Sequence, residues 1–253
     1  MAPDPLLEGE DDPVIIVNGD GPSHIFLVCE HAGRAIPRRL GTLGLQESEL
    51  ERHIAYDIGA ESVARRLSRL LDAPLVLQRY SRLVQDCNRP PEAPSAMPEM
   101  SESTPIPGNA GLTPEERAAR TAAIYEPFHA AVAALLDSRQ ASRRDPSFVA
   151  IHSFTPVYKG MTRHLDVGVL HDRDRRYADH LIATLSRHGD IKVRRNEPYG
   201  PEDGVTHTLN LHGGRRGLLN AMIEIRNDLI TEEAGQSAWA GRLAQVLSTG
   251  GPV

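Results

Sequence analysis

Cysteine is scarce in this chain. Its two cysteines, Cys29 and Cys87, in 253 residues make neither a disulfide framework nor a thiolate zinc cluster. Aromatic residues reach only 4 % against 40 % apolar residues in all, so any core must be mostly aliphatic. Positive charge is not in excess: 28 Lys+Arg face 34 Asp+Glu, for a formal net charge of -6. That balance argues against nucleic acid or an anionic membrane surface as the main partner. The same 28 cations still leave ample local positive charge for a small anionic ligand. No apolar run approaches the roughly 18 residues that span a bilayer. The opening MAPDPLLEGEDDP is acidic rather than secretory, so the expected location is a reducing cytoplasm. HExxH, GxSxG and the P-loop pattern are all missing, which removes the commonest zinc-protease, serine-hydrolase and nucleotide readings.

What is present describes an ordinary soluble protein with 25 % charged residues, long enough for one large domain, residues 1–253. Short apolar runs alternate with longer helical patterns, the signature of an α/β architecture. Val14–Val17, Ile25–Cys29, Pro74–Leu77, Leu83-Val84, Phe148–Ile151, Val167–Leu170, Ile191–Val193 and Ala221–Ile225 read as strands. Helices are expected over about Glu49–Leu71, from Thr113 through Phe128 to Leu136, over Tyr177–Arg187 and over Thr231–Val246. The third-residue pairing of Thr113 with Glu116, with Pro114 between, is a capping box. Between Asn88 and Gly111 six prolines forbid regular structure, and a loop that long is more often a binding loop or lid than filler.

Chemistry-bearing residues gather where apolar strands end, the usual place for active groups in open α/β sheets. Val28-Cys29-Glu30-His31 and Ile151-His152-Ser153 both run from an apolar strand into histidine. A lone histidine is more often a hydrogen-bonded structural residue than a ligand, but two of them at separate strand ends change the weighing. Arg82 to Arg89 leaves a strand and enters the proline-rich loop. Glu224, Arg226 and Asp228 alternate along the last strand and are expected to face one side. Their bland reading is a buried ion pair, which brings little net stability. Asp57 is either the cap of a helix starting near Ile58 or a ligand. His53, four residues earlier and on the same face if that stretch is helical, is the other candidate. Two histidines, a carboxylate and a further glutamate match a catalytic zinc site: three ligands, an open water position and a base.

The sequence resembles the N-formylglutamate amidohydrolase family. The matching segments are CEHAG at 29–33, HIAYDIGA at 53–60, YSRLVQDCNRP at 80–90, IPGNAGL at 106–112, IHSFTP at 151–156, NEPYGP at 196–201 and IEIRNDLI at 223–230. The resemblance implies a zinc-carboxypeptidase-like α/β fold: three layers, a mixed but mostly parallel sheet, helices on both faces. It also implies hydrolysis of N-formyl-L-glutamate to formate and glutamate, a last step of one histidine-degradation route. By the same resemblance His31 and His152 are metal ligands, and Glu224 is the general base. Arg82 stabilises the oxyanion, and Asn88 with Arg89 holds a substrate carboxylate. Carboxypeptidases take their acidic ligand three residues after the first histidine. Here that position is Arg34, so Asp57 is the expected third ligand, with His53 as the alternative. Arg226 is expected to bind a second carboxylate or orient Glu224, and Asn109 and Tyr199 to lie on segments that close over the substrate. The expected cofactor is zinc, and the expected partner is a small molecule carrying carboxylates. The rival readings are a metallo-carboxypeptidase or deacylase of another N-acyl amino acid, and a non-catalytic binding protein for acidic amino acids.

Overall fold

The computed structural model describes residues 2–142 and 145–249. Seven strands form one sheet: β1 (Val14–Val17), β2 (Ile25–Cys29), β3 (Leu75–Gln78), β4 (Ser147–Phe154), β5 (Val167–Leu170), β6 (Val193–Arg195) and β7 (Asn220–Arg226). Their spatial order is β1-β3-β2-β4-β7-β5-β6. The four central strands β3, β2, β4 and β7 run parallel. At one edge β1 lies antiparallel on β3; at the other, β5 lies antiparallel on β7 and carries β6 parallel to itself. The central strands are buried on both faces, which is why they read as unbroken apolar runs rather than alternating ones.

The helices are α1 (Ala60–Leu71), α2 (Pro114–Arg120), α3 (Glu126–Ala141), α4 (Arg176–Leu185) and α5 (Glu233–Leu247). Helices α1, α4 and α5 pack Val63, Leu67, Leu181 and Leu243 against Ile25, Leu27 and Ile151 on one face of the sheet. Helix α3 packs Phe128, Val132 and Leu136 against Phe26, Val28 and Phe148 on the other. This is the mixed sheet with helices on both faces that the sequence implied. The capping box is formed as expected, with Thr113 Oγ1 accepting from the Glu116 amide and the Glu116 carboxylate accepting from the Thr113 amide. Among the described residues no helix is long and apolar enough to cross a membrane.

Several expected elements differ. The proline-rich stretch carries a short hairpin of Met100-Ser101 with Thr104-Pro105, and a π-helical turn at Thr121–Tyr125 divides the helix expected from Thr113 to Leu136. Leu83-Val84 is a buried turn, not a strand, closed by the Val84 amide on the Ser81 carbonyl. The helix expected from Glu49 is a single turn, Glu47–Leu50, and the chain then winds through turns until α1 opens at Ala60. Gly59 fixes where α1 starts: it adopts a left-handed φ of +78°, and a Cβ there would collide with the Ile230 carbonyl. His53 and Asp57 therefore do not share a helix face.

The sheet's pleat builds the floor of the functional site. On the α3-facing side the sequence alternates Phe26, Val28, then Glu30 along β2 and just beyond it. The same side reads Phe148, Ala150, then His152 along β4, and Met222, then Glu224 along β7. The register sets Glu224 opposite His152. Residues two apart share a face, so one apolar surface turns polar in a single row crossing three strands.

Candidate active site

His31, Asp57 and His152 form a fully buried group whose ligand-capable atoms lie within 4.8 Å of one another. His31 and Asp57 come together because the Asp57 amide donates to the His31 carbonyl at 2.9 Å. Asp57 Oδ2 sits 2.8 Å from His152 Nδ1 and 3.5 Å from His31 Nδ1. It also accepts from the Ser153 amide at 3.1 Å. Asp57 is not the cap of α1: that place falls to Gly59, and no side chain bonds the helix start.

Each imidazole is gripped on its far side by a second carboxylate. Asp86 Oδ1 lies 2.7 Å from His31 Nε2, and Glu30 Oε2 lies 3.0 Å from His152 Nε2. A carboxylate on one ring nitrogen fixes the tautomer and turns the other nitrogen inward, the usual arrangement around a metal-ligating histidine. Among the described residues His31 Nδ1 has no hydrogen-bond partner although it is buried. That orphaned nitrogen, the Asp57 oxygen beside it and the inward Nδ1 of His152 fit a divalent cation such as zinc, which favours imidazole and carboxylate donors.

The electrostatics agree with that use. Burial would raise the Glu30 carboxyl, but the His152 charge and hydrogen bond bring it down to about 2. Burial likewise opposes ionisation of Asp57 and Asp86. The histidines hold both well below the ordinary carboxylate range, with Arg82 helping at Asp86. Burial alone would lower the His152 imidazole, yet Glu30 and Asp57 push it well above its ordinary value. Three ionised carboxylates around two rings form a polar basin in which a bound cation would take the place of the ring protons.

Glu224 stands at the edge of this basin. Burial raises its carboxyl to about 7, so it exchanges protons near neutrality, as a general base should. Its Oε2 is buried without a hydrogen-bond partner, free for a water or substrate atom. The basin opens into a cavity of about 480 Å³ walled by Arg82, Asn88, Arg89, Tyr199 and Glu224 among others, within the size range of small-molecule sites.

The remaining expected residues divide. Arg82 lines the cavity, held by Asp86 Oδ2 at 3.1 Å and Asp57 Oδ1 at 3.5 Å. Asn88 lines it too, but its side chain donates to the Val205 carbonyl and accepts from the Thr208 amide, bracing the neighbouring loop. Arg89 donates to the carbonyls of Asn88 and Gly204. Tyr199 accepts from Arg163 at 3.0 Å. His53 lines the wall but stands outside the three-residue metal group, 3.6 Å from Glu102.

Two expectations need correction. Arg226 does not line the cavity: Asp166 at 3.1 Å and Asp228 at 2.8 Å take its guanidinium, and its amide donates to the Asp166 carbonyl at 2.9 Å. Asn109 does not face the cavity either. It is buried, donates to the Leu83 and Pro98 carbonyls and accepts from Arg120, pinning the proline-rich loop from behind. That loop does contribute wall, through Ser101 and Glu102. The sequence reading assigned no role to Glu30, Asp86 or Arg163. The first two carried a signal, since each sits inside a polar strand end already singled out; Arg163 lies in an irregular connection and carried none.

Comparison with known proteins points the same way. The profile of the N-formylglutamate amidohydrolase family matches residues 23–231. The crystal structure of the gene product Atu2144 from Agrobacterium tumefaciens is similar with a TM-score of 0.94 and 52 % identity, covering 96 % of each chain. The crystal structure of N-formylglutamate amidohydrolase from Ralstonia eutropha JMP134 is similar with a TM-score of 0.66 at 20 % identity, over 94 % of this chain and 96 % of that one. At that identity the second likeness concerns the fold. Among curated proteins there is no match.

Proposed function

Because the chain belongs to the N-formylglutamate amidohydrolase family, we propose that it hydrolyses the formamide of an N-formyl acidic amino acid, N-formyl-L-glutamate first, to formate and the free amino acid. The observation that carries this reading is the register pairing of Glu224 with His152. It sets a carboxyl raised to about 7 beside the His31–Asp57–His152 group.

In this reading His31, Asp57 and His152 hold a metal ion, with zinc expected. When bound, the ion supplies Lewis acidity that polarises the formyl oxygen and makes water a stronger acid. Glu224 accepts the proton of the attacking water and returns it to the departing amine, so no net proton is gained at the carboxyl. Arg82, fixed by Asp57 and Asp86, donates its remaining N–H groups to the oxyanion as it develops. Arg89 receives a substrate carboxylate, for which a guanidinium offers two parallel hydrogen bonds. The buried floor of His31, Asp57, His152 and Glu224 lies away from bulk water, which strengthens the charge contacts made there.

The test is formate release across a panel of N-formyl and N-acetyl amino acids, run on the unaltered protein and on Glu224→Gln. The unaltered protein is expected to prefer N-formylglutamate. Glu224→Gln keeps the shape but not the proton acceptor, so its turnover should fall by roughly 10² to 10⁴ with metal content unchanged. Near-normal turnover in that variant would remove Glu224 from the chemistry. Preference for an N-acetyl or long-chain acyl substrate would move the protein to another acyl class.

A further inference from the structure

The guanidinium groups near the cavity differ in how much of their charge is already spent. Arg82 is claimed by Asp57 and Asp86, Arg52 by Glu49 and Glu102, and Arg226 by Asp166 and Asp228. Arg163 is different. It lines the cavity, and its hydrogen-bond partners are neutral: the Tyr199 hydroxyl at 3.0 Å and the Thr155 carbonyl at 3.4 Å, both taken by one terminal nitrogen. Among the described residues its other N–H groups have no hydrogen-bond partner.

Arg163 is also held in place. Its guanidinium carbon lies 4.7 Å from the centroid of the Tyr158 ring and 4.7 Å from that of Tyr199, with Phe154 at 5.8 Å. Such stacking restrains a long side chain and leaves its planar edge open. The backbone adds to this: the Arg163 amide donates to the Pro156 carbonyl and closes the small hairpin of Val157-Tyr158 with Met161-Thr162. Tyr199 keeps its proton, since burial raises its hydroxyl to about 12, so the ring beside Arg163 is not itself the counter-ion. An aromatic cage around an unneutralised guanidinium, inside the same cavity as the metal group, is a receptor for an anion.

Among the described residues the hydrogen-bond partners of Arg89 are likewise carbonyls, although its charge also acts on Asp86. The cavity thus offers two guanidiniums, from two separate stretches of chain, that among the described residues have no carboxylate hydrogen-bonded to them. We infer that Arg163 binds the second carboxylate of the acidic amino-acid substrate while Arg89 binds the first, the place the sequence had given to Arg226. This rests on the reaction proposed above, and it makes the side-chain carboxylate a requirement rather than a preference.

The experiment compares N-formyl-L-glutamate with N-formyl-L-glutamine, which differs by one charge at nearly constant shape, in the metal-loaded unaltered protein, Arg163→Met, Arg163→Lys and Arg226→Met. Losing one partner of a desolvated charge pair should lower kcat/KM for N-formylglutamate on the order of 10²-fold in Arg163→Met. The glutamine analogue, poor from the start, should change only a few-fold. Arg163→Lys should fall between, since it keeps charge without the fork, and Arg226→Met should keep the unaltered preference. Equal losses on both substrates in Arg163→Met and Arg163→Lys would mean that Arg163 only braces the wall, and would overturn the inference. If the unaltered protein cleaves neither substrate, the proposed reaction fails while the receptor remains open to test. Glutarate should then protect the unaltered protein against thermal unfolding but not Arg163→Met, and equal protection would overturn the receptor as well.

Discussion

The protein buries two sets of histidines on the same side of its sheet, and they behave in opposite ways. In the first, His31 and His152 meet edge to face with ring centroids 4.8 Å apart, and Asp57, Asp86 and Glu30 bind their nitrogens. In the second, His129 and His212 stack at 5.1 Å and share a hydrogen bond of 2.8 Å. His129 takes the Cys87 carbonyl, and nearby His207 takes the Tyr125 hydroxyl. Among the described residues no carboxylate pairs with this second set. Burial is nearly equal, yet His152 is pushed well above its ordinary value whereas burial lowers His129 to about 4 and His212 to about 3. A buried histidine becomes a site only when the chain brings acids to it; otherwise it is a neutral core residue with a polar edge.

The sharpest way to break this contrast is to remove a ring from the first set. His152→Ala should abolish both metal retention and formate release while the protein stays folded. Elemental analysis of the purified variant tests this, and full metal occupancy would exclude the residue from the metal group.

A smaller effect is expected one layer out. Glu30→Gln keeps a hydrogen-bond acceptor but not the charge on His152, so metal affinity should weaken by roughly 10- to 100-fold, as for other outer partners of metal-binding histidines. Competition against a chelator of known affinity measures it. Unchanged affinity would make Glu30 a structural acid and narrow the difference between the two histidine sets.

The second set should respond to acid rather than to chelators. His129 and His212 have folded-state values below the unfolded value of about 6.5. The folded protein thus binds fewer protons than the unfolded chain between those limits, and stability falls as pH drops below about 6.5. Between pH 7.5 and 5 the loss should reach up to about 2 kcal/mol per ring, read from urea unfolding at each pH. Replacing both with glutamine should flatten that slope and leave the metal content unaltered.

Most of the architecture was legible because apolar runs and their punctuation are local. β2, β4 and β7 announce themselves as buried strands, and Thr113 with Glu116 marks a helix start by chemistry that involves only four residues. The pairing of His31, Asp57 and His152 rests on long-range register and was reachable only as an inventory of ligand types. Leu83-Val84 misled because an apolar pair buried in a turn has the same composition as a strand. The helix expected before Ala60 stops at Leu50, and α1 starts afresh only after Gly59, whose left-handed turn lies against the Ile230 carbonyl, far away in sequence. Arg226 read as functional because alternation puts it in line with Glu224. The alternation holds, but the sheet ends there, and Asp166 and Asp228 collect the side chain. Arg163 left no trace in the sequence pattern, since its cage joins Phe154 and Tyr158 on its own stretch to Tyr199 on a distant one.

The polar row crossing β2, β4 and β7 makes the hydrogen-bonded ladder of the sheet a measuring device. Glu224 faces His152 only because each strand delivers its polar residue an even number of steps beyond its last core-facing neighbour on that side. A single residue inserted between Phe148 and His152, or between Asn220 and Glu224, would turn the imidazole or the carboxyl to the opposite face and bury it among the aliphatic side chains packed under α1 and α5. Insertions in the loops around the cavity alter its walls. Insertions in these strands would leave the composition of the site intact and abolish its geometry, so the catalytic count is kept by strand length as much as by residue identity.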